Sequence, residues 1–114
     1  PKIEAMHHWT NFLHHETSFF TGAEKIGQRL GARFFYVEMT RPRRGYYRAE
    51  LKEMPQKAAT PEQPFPLTDA FARCIEASIQ AQPHLWLWTH NRWKRTRAHW
   101  DSYKAQQRGR STKK

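Results

Sequence analysis

The pattern of apolar and polar residues, followed from the N-terminus, first indicates a helix that begins near residue 22. The segment FFTGAEKIGQRLGA predicts a strand end leading into this helix, because Thr21 and Glu24 have the spacing of a capping box. Gly31 suits the left-handed residue that follows a helix. Ile26 and Leu30 lie four positions apart, so we expect them to form the inward face.

Two strands are predicted next. Residues 33–40, RFFYVEMT, are rich in aromatic and β-branched side chains, which is typical of a well-buried strand. Residues 46–52, YYRAELK, alternate apolar and charged positions and predict a half-solvated strand. The link RPRRG at residues 41–45 is short enough for an antiparallel hairpin.

Four prolines between residues 54 and 66 predict an irregular connection. Apolar residues then recur every four positions and predict a helix with one inward face: Leu67, Phe71, Ile75 and Ile79. Pro83 is expected to end this helix, and PHLWLWTHNRWK at residues 83–94 predicts a second short one.

From residue 95 onward the chain loses periodicity and predicts a basic, disordered tail. The predicted order is strand-helix-strand-strand-helix-helix, an α/β class with an incomplete sheet, because two or three strands close a sheet poorly. We therefore expect residues 1–94 to be the C-terminal part of a larger α/β domain and residues 95–114 to be the tail.

Charge narrows the classes of partner. The net charge is +10, and residues 83–114 contribute nine basic residues against one acidic residue. Such a field favours nucleic acid, anionic lipid or an acidic protein. The single cysteine, Cys74, excludes an internal disulfide. We expect no metal site, because the histidine pairs in HHWTNFLHHE alternate across faces and no distant ligand completes a set.

Three residues are candidates for substrate binding. A helix that begins at Gly22 presents backbone N–H groups to an anion, whereas Glu24 beside it either binds a ligand or completes the capping box. Arg41 at a strand end matches phosphate geometry, and a solvated hairpin loop is the alternative interpretation.

The tryptophan run at residues 83–94 has two interpretations. Helical spacing would place Trp86, His90 and Trp93 on one face and would bring Arg92 over the ring of Trp88. Such a helix packs its indoles on the core, or it places them with basic side chains at a membrane interface. The candidate lipid-contacting residues are Trp86, Trp88, His90, Arg92, Trp93 and Lys94.

These motifs resemble one family. FFTGAEKIGQRLGARFF, the arginine-bearing strand end, the YY strand, the proline-rich connection and the closing QPHLWLWTHNRWK are similar to the C-terminal portion of bacterial lipid A biosynthesis acyltransferases, within the wider lysophospholipid acyltransferase superfamily. The similarity spans residues 9–94, and its specific part is the closing His-x-Arg-Trp-Lys run at residues 90–94.

The resemblance implies transfer of a fatty acyl chain, from acyl carrier protein or acyl-CoA and without a cofactor, to a lipid hydroxyl at the cytoplasmic face of the inner membrane. The family's chemistry uses a His-x4-Asp motif, in which histidine acts as general base. No histidine in this sequence has an aspartate five positions later. We therefore expect a catalytically silent fragment in which Gly22, Glu24 and Arg41 contact substrate and residues 86–94 meet an anionic membrane.

A small basic nucleic-acid-binding module is the alternative, because aromatic residues alternate with Arg and Lys at a pI of about 10.3. We expect no nucleic-acid partner, since no known binding motif is present and most of the charge falls in the predicted tail. An interaction adaptor that kept this segment without catalysis is a third hypothesis.

Overall fold

The computed structural model describes residues 3–54, 56 and 58–112, which form four strands and three helices. In chain order these are β1 His8–Phe12, β2 His15–Phe19, α1 Gly22–Leu30, β3 Phe35–Arg43, β4 Tyr46–Glu53, α2 Pro66–Ala81 and α3 Arg97–Ser111. The strands form two separate antiparallel pairs, β1 with β2 and β3 with β4. The predicted mixed α/β class with an incomplete sheet is confirmed.

The sequence predicted one strand before α1, but the structure has two, β1 and β2, which form a hairpin. Its turn places Leu13 and His14 at φ values of 50° and 64°, a left-handed conformation that usually requires Asn or Gly. The backbone N–H of Leu13 donates to Glu76 Oε1 of α2 at 3.1 Å. A tertiary contact therefore supports this turn, and the residue types Leu13 and His14 do not predict it.

The core lies between this first hairpin and α2. Phe12 and Phe19 pack with the α2 residues Ala72, Ile75 and Ile79, and all five are buried. The predicted inward face of α2 is confirmed at Leu67, Ile75 and Ile79, which are buried, but it is wrong at Phe71, which is 39% exposed. The helix ends at Ala81, two residues before Pro83, as the sequence indicates.

The predicted pairing of β3 with β4 is confirmed, but the predicted burial of β3 is wrong. Phe35, Val37 and Met39 are each about half exposed, and β4 is exposed along its whole length. The hairpin reaches α2 through few contacts, among them the Tyr36 hydroxyl, 2.9 Å from Ser78 Oγ. Apart from these contacts with α2, the described residues supply no layer that covers the β3 and β4 faces. The radius of gyration is accordingly 17.1 Å, against about 13 Å for a compact domain of this size.

Helix α1 forms where predicted, and Gly31 follows its last residue with φ 64°. The predicted inward face of this helix is wrong. Ile26 and Leu30 are 62% and 74% exposed. The helix instead buries Glu24 and Gly27, since Glu24 hydrogen-bonds to α2 and Gly27 leaves space for the ring of Phe34.

The last two segments also differ from the expectation. The tryptophan run is not a helix: a 3-10 turn at Pro83–Leu85 is followed by turns and bends. The basic segment predicted to be disordered instead forms α3. A capping box of Thr96 with His99 starts α3, and Trp100, 8% exposed, anchors it against His7. A single buried residue gives little periodicity, so the sequence pattern missed this helix. The domain boundary at residue 94 stays a prediction.

Candidate functional site

Glu24 caps a helix, but that helix is α2 and not its own. The side chain is 2% exposed, and its Oε1 accepts from the backbone N–H of Leu67 at 2.9 Å. Its Oε2 accepts from the Thr68 N–H at 2.9 Å and from the Thr68 hydroxyl at 2.6 Å. The predicted capping box with Thr21 is not formed, since Thr21 makes no side-chain capping bond.

The local sequence explains why α2 needs this carboxylate. The α2 N-cap position holds Phe65, which has no side-chain acceptor, and Pro66 has no N–H. Leu67 and Thr68 are therefore the first residues with unpaired N–H groups, and Glu24 accepts both bonds. Negative charge also complements the positive end of the helix dipole. Glu24 thereby fixes the position of α1 against α2.

The structure does not bring the three predicted substrate-binding residues together. Gly22 is exposed at the start of α1, whereas Glu24 is buried at the N-terminus of α2. Arg41 lies at the other end of α2, where its backbone N–H donates to Gln82 Oε1 at 3.0 Å. The rise of α2 between Thr68 and Gln82 separates these ends by about 20 Å. Substrate binding by each residue stays a prediction.

The tryptophan run divides into an inward and an outward set. Trp86 and Trp93 are half-buried and pack on the ring of Phe12 at centroid distances of 6.2 and 6.5 Å. The Trp93 indole N–H donates to the buried Thr17 hydroxyl at 2.8 Å. These two indoles belong to the core, and the helical face predicted for them is not formed.

Arg92 also belongs to the inward set, and its predicted contact with Trp88 is wrong. Its guanidinium carbon lies 4.9 Å from the ring centre of Phe19, 5.4 Å from Phe12 and 5.8 Å from Trp86. Among the described residues, its buried Nε has no hydrogen-bond partner. Loss of hydration in this aromatic surrounding lowers the pKa of Arg92 below its ordinary value.

The outward set contains Trp88, His90 and Lys94. Trp88 is 58% exposed, and its indole N–H donates to the Pro83 carbonyl at 2.7 Å. Leu87, which the sequence interpretation did not single out, is 66% exposed beside it. The exposed apolar side chains Leu87 and Trp88 distinguish this outer set from the core side of the run.

A His–Asp pair joins β1 to α2. His8 Nε2 lies 2.7 Å from Asp69 Oδ1, and the His8 ring packs edge-on against Phe65. His8 and Asp69 are separated by 61 positions, so the sequence gives no signal for this pair. The other histidines of this stretch are dispersed, with His7 against Trp100 and His15 against Trp93. No group of three or more potential metal ligands occurs within the residues that the structure describes.

The comparison with protein families decides the chain's membership. The model of the bacterial lipid A biosynthesis acyltransferase family matches residues 6–95 of the 114. The chain belongs to that family. The match covers β1 through the tryptophan run and stops just before α3.

Membership in the lipid A biosynthesis acyltransferase family supports acyl transfer as the reaction class. No curated protein and no solved structure matches the chain. None of the helices within the described ranges is long and apolar enough to cross a bilayer. Glu24 and Arg92 hold the family-matched segment together, and sequence reasoning missed their partners because most of these are distant along the chain.

Proposed function

We propose that the protein carrying this chain transfers a fatty acyl chain from acyl carrier protein or acyl-CoA to a hydroxyl of a lipid A precursor or a related lipid. Family membership supports the reaction class. We further propose that the chain meets the anionic cytoplasmic face of the bacterial inner membrane. The observation that carries this second part is the exposed Leu87–Trp88 step, with His90 and Lys94 a few residues later.

Physical chemistry favours this surface for a membrane contact. Two adjacent large apolar side chains, 66% and 58% exposed, lose contact with water if they enter the headgroup zone. Indoles prefer that zone, and exposed cations interact with anionic lipid. Because the Trp88 indole is bonded to Pro83, little side-chain freedom remains to be lost on insertion.

The catalytic step is assigned to residues outside this chain. In the family's chemistry a His-x4-Asp histidine takes the proton of the acceptor hydroxyl, and this sequence contains no such motif. Arg41 and the exposed Gly22 are the proposed substrate contacts. Glu24 acts indirectly, because its carboxylate is occupied by α2.

Vesicle binding tests the membrane part. The change Leu87→Ser removes an exposed apolar side chain from the proposed contact, and Leu51→Ser on β4 removes one that is 71% exposed elsewhere. Half-burial of a leucine is worth about 1 kcal/mol, so we expect partition onto phosphatidylglycerol vesicles to fall about fivefold for Leu87→Ser. The Leu51 variant should bind like the unchanged chain. Equal behaviour of the two variants would contradict the proposed contact.

Acyl transfer is tested with the whole encoded protein. Radiolabelled acyl groups on acyl carrier protein or on coenzyme A should appear in the lipid acceptor, and the 114-residue chain alone should give no turnover. A reading frame without an in-frame His-x4-Asp codon pattern before Pro1, together with no transfer by the whole protein, would refute the proposal.

Nucleic-acid binding is the second candidate, and α3 gives it one specific observation. This helix presents basic residues on an exposed surface: Arg97, Lys104, Arg108 and Arg110. Counterion release would then make affinity for a single strand fall steeply with salt. Binding that requires a lipid surface instead would favour the acyltransferase proposal.

A further inference from the structure

A small basic cavity lies between β2 and the end of the tryptophan run. Its volume is about 250 Å³, with the buried Met6 and the half-buried Ser18 on one side. Arg92 and the exposed His90, Asn91, Lys94 and Arg95 complete the lining. The fold thus places two arginines, a lysine and an imidazole around one cavity. The sequence did not indicate this cavity, because Met6 and Ser18 are far along the chain from residues 90–95.

Two cations of this cavity, Arg92 and Lys94, have no acidic neighbour in its described lining. None of the described residues that line it is acidic. Arg92 and Lys94 form no ion pair within the described part of the chain. The positive charges of Arg92 and Lys94 therefore repel each other, and an anion in the cavity would relieve that repulsion.

Arg92 is already prepared for an anion. Its guanidinium rests on three aromatic rings, which hold it in one place and remove part of its hydration. A charge that has lost water interacts more strongly with a counter-ion than a fully hydrated one. The Ser18 hydroxyl adds a neutral group that can donate to an oxyanion.

The size and charge of the cavity indicate the class of ligand. Drug-sized ligands occupy cavities of about 300–1,000 Å³, so about 250 Å³ suits a compact headgroup. A carboxylate would neutralise only one of the two cations Arg92 and Lys94, whereas a phosphomonoester carries nearly two charges and three acceptor oxygens. Guanidinium and ammonium groups both match phosphate oxygens.

We propose that this cavity binds a phosphomonoester group. Two sources share that chemistry, a membrane lipid with a terminal phosphate and a soluble phosphate ester. The lipid source rests on the proposed membrane function, because the exposed Leu87 and Trp88 precede the cavity residues His90 and Lys94 in the same run. The phosphate site itself does not depend on it.

Calorimetric titration of the 114-residue chain with glycerol 3-phosphate tests the site, with glycerol as the uncharged reference. Lys94→Gln removes one cation from the lining, and Lys104→Gln removes the same charge from α3, outside this cavity. We expect saturable binding that is about tenfold weaker for Lys94→Gln and unchanged within about twofold for Lys104→Gln. Equal weakening by both changes would overturn the proposal, because binding would then depend on the overall positive charge of the chain and not on this cavity.

A second variant separates binding from folding. Arg92→Met keeps an unbranched side chain against the three rings, so circular dichroism should show an intact fold while phosphate binding is lost. A folded Arg92→Met chain that binds glycerol 3-phosphate as tightly as before would overturn the assignment.

Vesicles identify the source of the phosphate. Phosphatidic acid carries a phosphomonoester, whereas phosphatidylglycerol carries a phosphodiester. Preference for phosphatidic acid that is lost in Lys94→Gln would support a lipid ligand, and glycerol 3-phosphate binding without this preference would support a soluble one. Absence of both would overturn the site. The partition of Leu87→Ser onto phosphatidylglycerol vesicles tests the membrane proposal separately.

Discussion

Removing the Glu24 carboxylate should weaken the junction of α1 and α2 more than any exposed substitution. Glu24→Ala leaves two backbone N–H groups and the Thr68 hydroxyl without their acceptor, at residues that are themselves buried. An unsatisfied buried group costs about 1–3 kcal/mol, and loss of a helix cap costs about 0.5–2 kcal/mol. Water reaching the opened site offsets part of this, so we expect a loss of about 3 kcal/mol in the free energy of unfolding.

Glu24→Gln should have an intermediate effect. One amide oxygen can still accept from the Leu67 N–H, but the amide nitrogen cannot accept from Thr68. We expect a loss of about 1.5–2 kcal/mol, which places this variant between the unchanged chain and Glu24→Ala.

Urea unfolding followed by far-ultraviolet circular dichroism measures these losses. A loss of 3 kcal/mol corresponds to a fall of about 10–20 °C in Tm for a chain near this size. The control is Glu50→Ala, which removes the same side chain from the exposed strand β4 and should cost less than about 0.5 kcal/mol. If Glu24→Ala costs less than about 1 kcal/mol, or no more than the control, the carboxylate does not cap α2 as described.

Three further changes test other contacts. Trp93→Phe removes the indole donor to a buried β2 hydroxyl and should cost about 1–2 kcal/mol in urea unfolding; an unchanged midpoint would contradict that bond. Gly27→Ala places a methyl group in the ring of Phe34 and should destabilise by about 1–3 kcal/mol despite better helix propensity, and adding Phe34→Leu should restore most of the loss. The Glu38 hydrogen bond and then its charge raise the pKa of Lys52 above 10.5, so Glu38→Gln should lower it in an NMR titration. The stabilisation from this pair is complete below pH 10.5 and is lost as the pH rises through the raised pKa, so an unmoved titration would contradict the pairing.

Local signals predicted the parts of the fold that depend on neighbouring residues. Gly31 ends α1, Pro83 follows the end of α2, and the short link at residues 41–45 joins an antiparallel hairpin. Each depends on backbone geometry within a few positions, which the residue type itself restricts.

Burial was predicted less well, because it depends on which surfaces meet. Ile26 and Leu30 have helical spacing, yet α1 turns Glu24 and Gly27 inward. The β3 side chains look like core residues, yet no described layer covers them. Periodicity reports that a face is apolar and does not report whether a partner covers it.

The candidate site shows the same division. The run at residues 86–94 was recognised from its composition and spacing, and the family match at residues 6–95 agrees with that recognition. Helical spacing then grouped the wrong side chains, because Pro83 begins only one 3-10 turn and the chain continues without a helix. The inward side chains are inward because they pack against the hairpin of β1 and β2, and this contact exists only in the folded chain.

By itself, the sequence determined the family, the mixed α/β class, the net charge of +10 and the approximate bounds of α1, β3, β4 and α2, since these follow from residue identity and near neighbours. Only the tertiary structure decided that Glu24 caps α2, that Arg92 rests on three rings and that a basic cavity forms beside Ser18. Glu24 lies more than 40 positions from Leu67 and Thr68, and Arg92 lies more than 70 positions from Phe12, Ser18 and Phe19. Their energies arise from desolvation and close contact, which exist only after the chain has brought the partners together.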